Sequence, residues 1–147
     1  MTNLAPENVT TRAAPGAITL FKFDPCATGV AALNIFVTNA RTRNVNKQNA
    51  ICTNENGRPL VIKTEEQRQK ALQAVQKSWA AWAWLTATFT SDKVLQWPDG
   101  TNVTQCLTTK GIVVISPAEQ YSMLDGLGNF VDSKSPSILE YPVLCYK

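Results

Sequence analysis

The segment LVIKTEEQRQKALQAVQKSWAAWAWL, residues 60–85, contains the clearest structural signals in this chain. It opens with three apolar residues, Leu60 to Ile62, which indicate a short buried strand or an extended link. Thr64 and Gln67 follow at the spacing of a capping box, in which the threonine hydroxyl and the glutamine amide satisfy backbone donors at a helix start. The segment therefore predicts a helix that begins directly after Thr64.

The second half of the segment changes from helical to strand periodicity. Apolar residues first recur at the spacing of one helix face, and they are Leu72, Val75 and Trp79, with Ala71 and Ala74 beside them. We expect this helix to end near Trp79. Trp82, Trp84 and Thr86 then alternate with small residues, which is typical of a strand. The combined spacing predicts that at least two of the first three tryptophans point into the core.

Toward the N-terminus, the sequence indicates a lead-in followed by a hairpin. Residues 1–16 are rich in Thr, Asn, Pro and Ala and lack a hydrophobic signal core, so we interpret them as a flexible lead-in. The folded domain is then expected to occupy residues 17–147. Alternating apolar residues predict a strand at Ala17–Phe23 and an antiparallel partner at Ala31–Thr38, joined by a turn that starts at Asp24.

The remaining elements are one further helix and several short strands. The helix is expected from Thr42 to Thr53, before the turn residues Asn56 and Gly57. The strands are predicted between Gly and Pro turns, at Val94–Trp97, Ile112–Ile115, Tyr121–Leu124, Asn129–Val131 and Val143–Tyr146. This order predicts an α+β fold with two helices packed on short, mostly antiparallel sheets.

Composition excludes several classes of function. The net charge of +3 is small, and the only basic cluster, Arg41, Arg43 and Lys47, has no aromatic row opposite it, so we interpret it as a solvated face and not as a nucleic-acid site. No apolar run approaches the roughly 18 residues that a membrane helix needs. The sequence contains no histidine, which excludes Ser-His-Asp and Cys-His catalysis. The acidic residues lie in capping or strand-end contexts, so we expect no enzymatic activity and no cofactor.

The cysteines and two sequons favour a secretory route. Cys26, Cys52, Cys106 and Cys145 are widely spaced, without a Cys-x-x-Cys pair. Two disulfides are therefore the favoured interpretation, with four reduced core cysteines in a cytosolic protein as the alternative. Four cysteines allow three pairings, which sequence alone does not separate. Asn8 and Asn102 each begin an Asn-x-Thr sequon, the acceptor pattern for N-glycosylation.

From about Ile35 to the C-terminus, the order of motifs resembles the C-type lectin-like domain. A cysteine closes the first helix at Cys52, and an acidic start opens the second helix. The motifs that follow in the family's order are Leu60-Val61-Ile62, Trp82-Ala83-Trp84-Leu85, Trp97-Pro98-Asp99-Gly100-Thr101, Gly128-Asn129-Phe130-Val131-Asp132 and Tyr141-Pro142-Val143-Leu144-Cys145. The resemblance implies a disulfide between Cys52 and Cys145. It leaves Cys26 and Cys106 as the second bridge, because the family's own second pair would fall near Tyr121 and Ser135.

The departures from the family pattern concern its calcium site. Sugar-binding members coordinate calcium through acidic and amide residues of a long loop and through a Trp-Asn-Asp strand. Calcium needs six to eight oxygen ligands. Here the loop between Gly100 and Gly111 contains no acidic residue, and the strand motif is Phe130-Val131-Asp132. We therefore expect no metal site, and we interpret Asp132 as a turn-forming or capping aspartate.

The resemblance implies an extracellular recognition module, either secreted or on the outer face of a membrane protein, that binds a protein or glycan ligand without calcium. A protein ligand is slightly favoured, because loss of the calcium site removes the family's main route to sugar hydroxyls. Two alternatives stay open: a calcium-independent lectin, and a structural or assembly module of a larger surface protein. Self-association into a homo-oligomer also remains open. The expected ligand contacts are Trp97, Asp99, Asn102, Thr104, Gln105 and Lys110, with Trp97 also expected to pack beneath its turn.

Overall fold

The computed structural model describes Cys26 and residues 34–107, 113–114 and 116–147. The residues predicted as a lead-in and as the first strand, 1–16 and 17–23, lie outside this part of the chain. None of the helices in the described part combines the length and the apolar character needed to cross a bilayer.

The described elements alternate short strands with three helices. The strands are β1 (Ile35–Thr42), β2 (Arg58–Pro59), β3 (Trp82–Phe89), β4 (Leu95–Gln96), β5 (Tyr121–Asp125), β6 (Phe130–Ser133) and β7 (Tyr141–Tyr146). The helices are α1 (Gln48–Asn54), α2 (Glu65–Lys77) and the short α3 (Val103–Cys106), with a 3₁₀ turn at Val45–Lys47 before α1. The predicted α+β fold is confirmed, and α3 is an addition that the sequence did not indicate.

The strands form a sheet in the order β1-β7-β3-β5-β6, with β2 paired to β7 and β4 paired to β3. All pairs are antiparallel except β3 with β7, which are parallel and meet at Trp84 and Val143. The partner of β1 in the described chain is thus the last strand. The predicted strand Ile112–Ile115 is described only at Val113 and Val114, and Val113 forms an isolated parallel bridge with Phe130.

A bulge in β1 is held by side chains instead of ladder hydrogen bonds. The register with β7 shifts between Val37 and Arg41. Within the bulge, the hydroxyl of Thr38 accepts a hydrogen bond from the backbone of Val143 at 2.9 Å. The carboxylate of Glu55, just after α1, accepts from the backbone N–H groups of residues 39 and 40 at 3.0 Å. These side chains therefore accept hydrogen bonds from backbone N–H groups that lack a ladder partner at the bulge.

The first helix starts later than the sequence predicts. Thr42 is the last residue of β1, and its hydroxyl accepts a hydrogen bond from the backbone of Asn44 at 3.0 Å, which turns the chain before the helical region begins. The helix ends at Asn54 and Asn56 then takes a positive φ of 65°, so the predicted stop is confirmed. Buried Cys52 lies on the inner side of α1.

The capping of α2 is confirmed with one change of partner. The Thr64 hydroxyl accepts a hydrogen bond from the backbone of Gln67 at 3.1 Å, as expected. The Gln67 side chain reaches one residue further back, to the backbone N–H of Lys63 at 2.7 Å. At the other end the helix stops at Lys77, and Trp79 takes a φ of 61° with its side chain 94% exposed. The prediction that Trp79 continues the inner face is therefore wrong, because the helix has ended before that position.

Alternation along the central strands sends side chains into two separate cores. One core lies beneath α2 and contains Leu60, Ile62, Ala71, Val75, Leu85, Trp97, Leu124, Phe130 and Leu144. The other lies beneath α1 and contains Cys52, Trp84, Met123, Val143 and Cys145. The buried Trp84 indole donates to the carbonyl of Thr42 at 2.8 Å, so its polar edge is satisfied.

Two disulfides close the chain. Cys52 pairs with Cys145 across a sequence separation of 93, and Cys26 pairs with Cys106 across a separation of 80. These are the pairs that the resemblance implies. The first bridge ties α1 to β7 inside the core, where both cysteines are fully buried. The second attaches the residues before β1 to the end of α3.

We expect the double substitution C52A/C145A to lower the free energy of unfolding by about 4 kcal/mol, because the loop it opens is long and the unfolded chain regains entropy. Urea unfolding of the oxidised protein and the variant measures this difference. Wild-type protein unfolded in the presence of reductant, which opens both bridges, should be less stable than the oxidised variant, which keeps Cys26–Cys106. Equal midpoints for the oxidised protein and the variant would show that this bridge does not stabilise the fold.

Candidate ligand-binding surfaces

The turn after β4 is a tight, internally bonded loop. The backbone of Trp97 donates to the carbonyl of Thr101 at 2.9 Å, and Gly100 closes the turn by donating to the carbonyl of Trp97. Gly100 has a φ of 89°, which an L side chain rarely adopts. The Trp97 indole is 2% exposed and packs edge-on against Phe130 at 6.2 Å between ring centroids. Trp97 therefore packs beneath the turn and offers no surface to a ligand.

Asp99 is held in this turn by a buried lysine. The ammonium of Lys63 donates to the Asp99 carboxylate at 2.6 Å and to the Thr101 hydroxyl at 3.1 Å. The Lys63 side chain is 8% exposed, whereas that of Asp99 is 49% exposed. The hydrogen bond from Lys63, followed by that from the backbone of Thr101, lowers the pKa of Asp99 to about 2. The carboxylate thus serves first to neutralise a buried cation.

We expect D99N to lower the free energy of unfolding by about 1 to 2 kcal/mol at pH 7, because the buried Lys63 ammonium loses its counter-charge while solvent screens the exposed half of the pair. Since the folded-state pKa lies below the ordinary value of 3.8, the difference between the two proteins should be complete above about pH 5 and should close as the pH falls toward 2.

Urea titrations of both proteins at several pH values measure this gap. The control is D92N, at an exposed aspartate that forms no ion pair in the described part of the chain, and it should leave the unfolding midpoint unchanged. A gap between wild type and D99N that persists unchanged at pH 2 would contradict a role for the ionised carboxylate.

The other predicted contacts on this side lie on and before α3. Asn102 precedes the helix, and its side-chain oxygen accepts from the Gln96 amide at 3.0 Å. Thr104 and Gln105 are exposed. Asp99 and Asn102 thus lie just before α3, and Thr104 and Gln105 lie on it. Lys110 and the sequon residue Asn8 lie outside the described residues.

The carboxylates near the expected calcium region do not form a calcium donor set. One oxygen of Asp132 accepts hydrogen bonds from the backbone N–H groups of Ala118 and Glu119, both at 2.8 Å. Asp132 therefore caps the loop before β5, as a turn-forming aspartate does. Among the residues the structure describes, no group of three or more acidic, cysteine or histidine side chains is placed to hold a metal ion. The described residues therefore do not fit the calcium that binds sugar-binding members of the family that the sequence resembles, and residues 108–112 of the loop lie outside this part of the chain.

A second surface, which the sequence analysis missed, lies on the opposite face of the sheet. It is an open groove of about 470 Å³ beside the core that contains Trp84. The side chains that define it are Trp82, Met123, Val131, Lys134, Ile138 and Tyr141. Polar residues also line the groove, and they are Glu119, Asp132, Ser133 and Ser137. We call it the aromatic groove.

The floor of the aromatic groove is made of stacked aromatic rings. The ring of Tyr141 lies between two tryptophans, edge-on to Trp82 at 5.7 Å and to Trp84 at 6.3 Å between centroids. Trp84 is fully buried, whereas Trp82 is 39% exposed. Because Trp79 is also exposed, the prediction that at least two of these three tryptophans point inward is wrong. Trp82 is the first residue of β3, and at this strand end its indole is only partly covered.

One wall of the aromatic groove is the loop between β6 and β7. The backbone of Ser137 donates to the carbonyl of Arg43 at 2.8 Å, and the Ser135 hydroxyl accepts from the backbone of Val45 at 3.1 Å. These bonds fix the loop against the end of β1 and leave Ile138 88% exposed. A sequence signal was present, because Ile138 and Leu139 are adjacent apolar residues in a loop otherwise rich in Ser and Pro.

The fold of this chain matches that of solved C-type lectin domains. The carbohydrate-recognition domain of cow CD23, crystallised in the presence of a GlcNAc2Man3 oligosaccharide, is 14% identical with a TM-score of 0.56, over 78% of this chain and 87% of that chain. The trimeric Kupffer cell C-type lectin receptor Clec4f is 17% identical with a TM-score of 0.57, over 78% of both chains. The carbohydrate-recognition domain of the mouse scavenger receptor C-type lectin is 14% identical with a TM-score of 0.55, over 78% of this chain and 89% of that chain.

No family profile matches the sequence, and no curated protein is significantly similar to it. At this level of identity the likeness establishes the fold. The chain is a C-type lectin-like domain with two disulfides, and its relation to these proteins rests on architecture.

Proposed function

We propose that this chain is an extracellular recognition module that binds a protein or glycan ligand without calcium. The observation that carries the proposal is that two acidic side chains, Asp132 and Asp99, are bonded to other groups of the protein. By the motif resemblance, Asp132 stands at the strand position that supplies calcium ligands in sugar-binding members, and here its carboxylate caps a backbone turn. Asp99 is committed to Lys63. A ligand must therefore be held by direct contacts with side chains and backbone.

The solved neighbours support a binding function of this general kind. The cow CD23 domain was crystallised in the presence of an oligosaccharide, and the SPL-1 structure, which is 11% identical over 78% of this chain and 85% of that chain with a TM-score of 0.56, is a complex with GlcNAc. Both names describe recognition and not catalysis. Together with a sequence that contains no histidine, they support a protein that is not an enzyme.

The disulfides support a secreted or surface location. Two cross-links at wide spacing persist in oxidising compartments and are rare in the cytosol. The two sequons agree with the same route, and we propose Asn102, which is half-buried before α3, as a glycosylation site. A glycan there would cover part of the α3 surface. Clec4f is described as trimeric, and self-association of this chain is a related proposal.

A protein ligand is favoured over a glycan. The residues proposed to contact ligand on the α3 side are Asp99, Asn102, Thr104, Gln105 and Lys110. A sugar held without calcium would depend on a few carboxylate, amide and hydroxyl groups there, and two of these, on Asp99 and Asn102, already bond within the protein. The alternative of a calcium-independent lectin makes the opposite prediction, and the same binding experiment separates them.

We expect the oxidised protein to bind its ligand equally well in calcium and in EDTA. Its thermal unfolding midpoint should differ by less than about 1 °C between the two conditions, because the described residues contain no acidic cluster that would link calcium to folding. The experiment screens the protein against a glycan array and an array of secreted proteins, each in both buffers. Differential scanning calorimetry provides the second measurement.

The result that would overturn the proposal is binding that disappears in EDTA, or a midpoint that rises by several degrees when calcium is added. Calcium-independent binding only to glycans would support the lectin alternative. The absence of any ligand on both arrays would favour the structural or assembly module.

A further inference from the structure

The two disulfides of this chain differ in their exposure to solvent. Cys52 and Cys145 are both 0% exposed, and they belong to the same core cluster as the buried Trp84. Cys26 and Cys106 are only half-buried, so solvent reaches the second bridge in the folded protein. A thiol must contact a sulfur atom to attack it. The Cys26–Cys106 bridge is therefore the one that a reductant can reach while the fold stays closed.

Access to the buried bridge requires the fold to open. Cys145 is in β7, which pairs with β1, β2 and β3, and Cys52 is in α1, which packs against β7. To expose these sulfur atoms, α1 must separate from the strand that joins the sheet. Openings of this extent are rare, because they cost much of the free energy of unfolding. A reductant therefore reacts slowly with Cys52–Cys145 in the folded protein.

The half-buried bridge lies outside the frame of the sheet. Cys106 is the last residue of α3, and Cys26 lies in a turn before β1. Neither takes part in the pairs that β7 forms with its three neighbours. α3 meets the sheet beside β4, through an isolated bridge between Gln96 and Asn102. Opening Cys26–Cys106 therefore leaves the pairs of the central strand in place.

The short helix α3 depends on tertiary contacts, and the bridge is one of them. It has four residues, and Asn102, its N-cap residue, forms no side-chain capping bond. A helix of this length is not stable in isolation. Buried Val103 and Leu107 hold its two ends in the core, and the disulfide at Cys106 holds its last turn. Loss of the disulfide should therefore loosen the last turn first.

We propose that Cys26–Cys106 is a redox switch, which a dithiol reductant opens in the folded protein to loosen α3 while Cys52–Cys145 stays closed and holds the sheet. This inference goes beyond the proposed function, since it concerns the covalent state of the chain. One consequence rests on the proposed function: Thr104 and Gln105 of α3 are proposed ligand contacts, so opening the bridge changes that surface.

The reaction is a thiol–disulfide exchange in two displacement steps. A thiolate of the reductant attacks the sulfur of one cysteine, the Sγ–Sγ bond breaks, and the electron pair leaves on the other sulfur, which takes up a proton. The second thiolate of the reductant then attacks the reductant's own sulfur in the mixed disulfide and releases the first cysteine, which is protonated in turn. Cys26 and Cys106 each end as a thiol, and the reductant, having lost two electrons, becomes a disulfide.

The test treats the oxidised wild-type protein with dithiothreitol, stops samples with iodoacetamide and identifies the labelled cysteines by mass spectrometry of peptides. In buffer, Cys26 and Cys106 should become labelled at least about tenfold faster than Cys52 and Cys145, because their bridge is accessible without unfolding. The control is the same reaction in denaturing urea. There the two pairs should react at similar rates, since they close loops of similar length, with separations of 80 and 93.

Amide spectra of isotope-labelled protein, recorded by nuclear magnetic resonance, measure the effect on α3. After mild reduction, the signals of residues 103–107 should move toward random-coil positions while those of β7 stay in place. Reoxidation with oxidised glutathione should restore the starting spectrum. C26S/C106S should reproduce the reduced spectrum. The matched control is C52A/C145A, which keeps the half-buried bridge and should leave the signals of residues 103–107 unchanged.

The inference is overturned if all four cysteines of the folded protein become labelled at one rate, or if Cys52–Cys145 opens first. It is also overturned if Cys26–Cys106 opens and the signals of residues 103–107 do not move. Neither measurement uses a ligand. Ligand binding that requires calcium would overturn the proposed function and leave the redox switch standing, so the two failures are distinguishable.

Discussion

The covalent tie between the end of α1 and the last strand is the constraint on which the rest of the structure depends. Cys52 and Cys145 are fully buried, and their bond fixes α1 against β7. β7 in turn pairs with β1, β2 and β3, so it is the strand through which the beginning, middle and end of the described chain are joined. A displacement of β7 would disturb both hydrophobic cores, because its consecutive residues Val143 and Leu144 point to opposite faces of the sheet and belong to different cores.

Once this frame is fixed, polar side chains are used to hold irregular backbone in place. Thr38 and Glu55 hold the bulge in β1, Lys63 and Asp99 hold the turn after β4, and Asp132 holds the loop before β5. Thr38, Glu55 and Asp132 accept hydrogen bonds from backbone N–H groups that a regular ladder would pair with carbonyls. Three carboxylates of the described chain, those of Glu55, Asp99 and Asp132, therefore have structural roles.

The two faces of the sheet consequently differ in character. On the side of α2 the core is closed, and the surface above it is a polar loop with a sequon at Asn102. On the side of α1 the helix is short and covers only the region of Cys145 and Trp84. The strand ends beyond it, with Trp82 and Tyr141, are left open, and the loop that carries Ile138 completes the aromatic groove. The short reach of α1 is the physical reason that this groove stays open on its face of the sheet.

Sequence patterns determined those features that depend on local chemistry. The capping box at Thr64, the alternation through Trp82 and Trp84, the turn at Gly100 and the order of elements each follow from interactions between residues close in the chain, and they predicted the α+β fold and its resemblance to C-type lectin domains. The absence of acidic residues in the loop after Gly100 was likewise visible in the sequence.

Tertiary structure alone decided which side chains are covered. Trp79 follows the helical spacing but lies beyond the helix end, and Trp97 was considered as a contact although Phe130 and the turn bury it. The aromatic groove joins residues from β3, β5, β6, β7 and a loop, and its existence depends on how far α1 extends over the sheet. Periodicity specifies the side of an element on which a residue lies, but only the packing of distant elements determines whether that side meets another part of the protein or remains open to a partner.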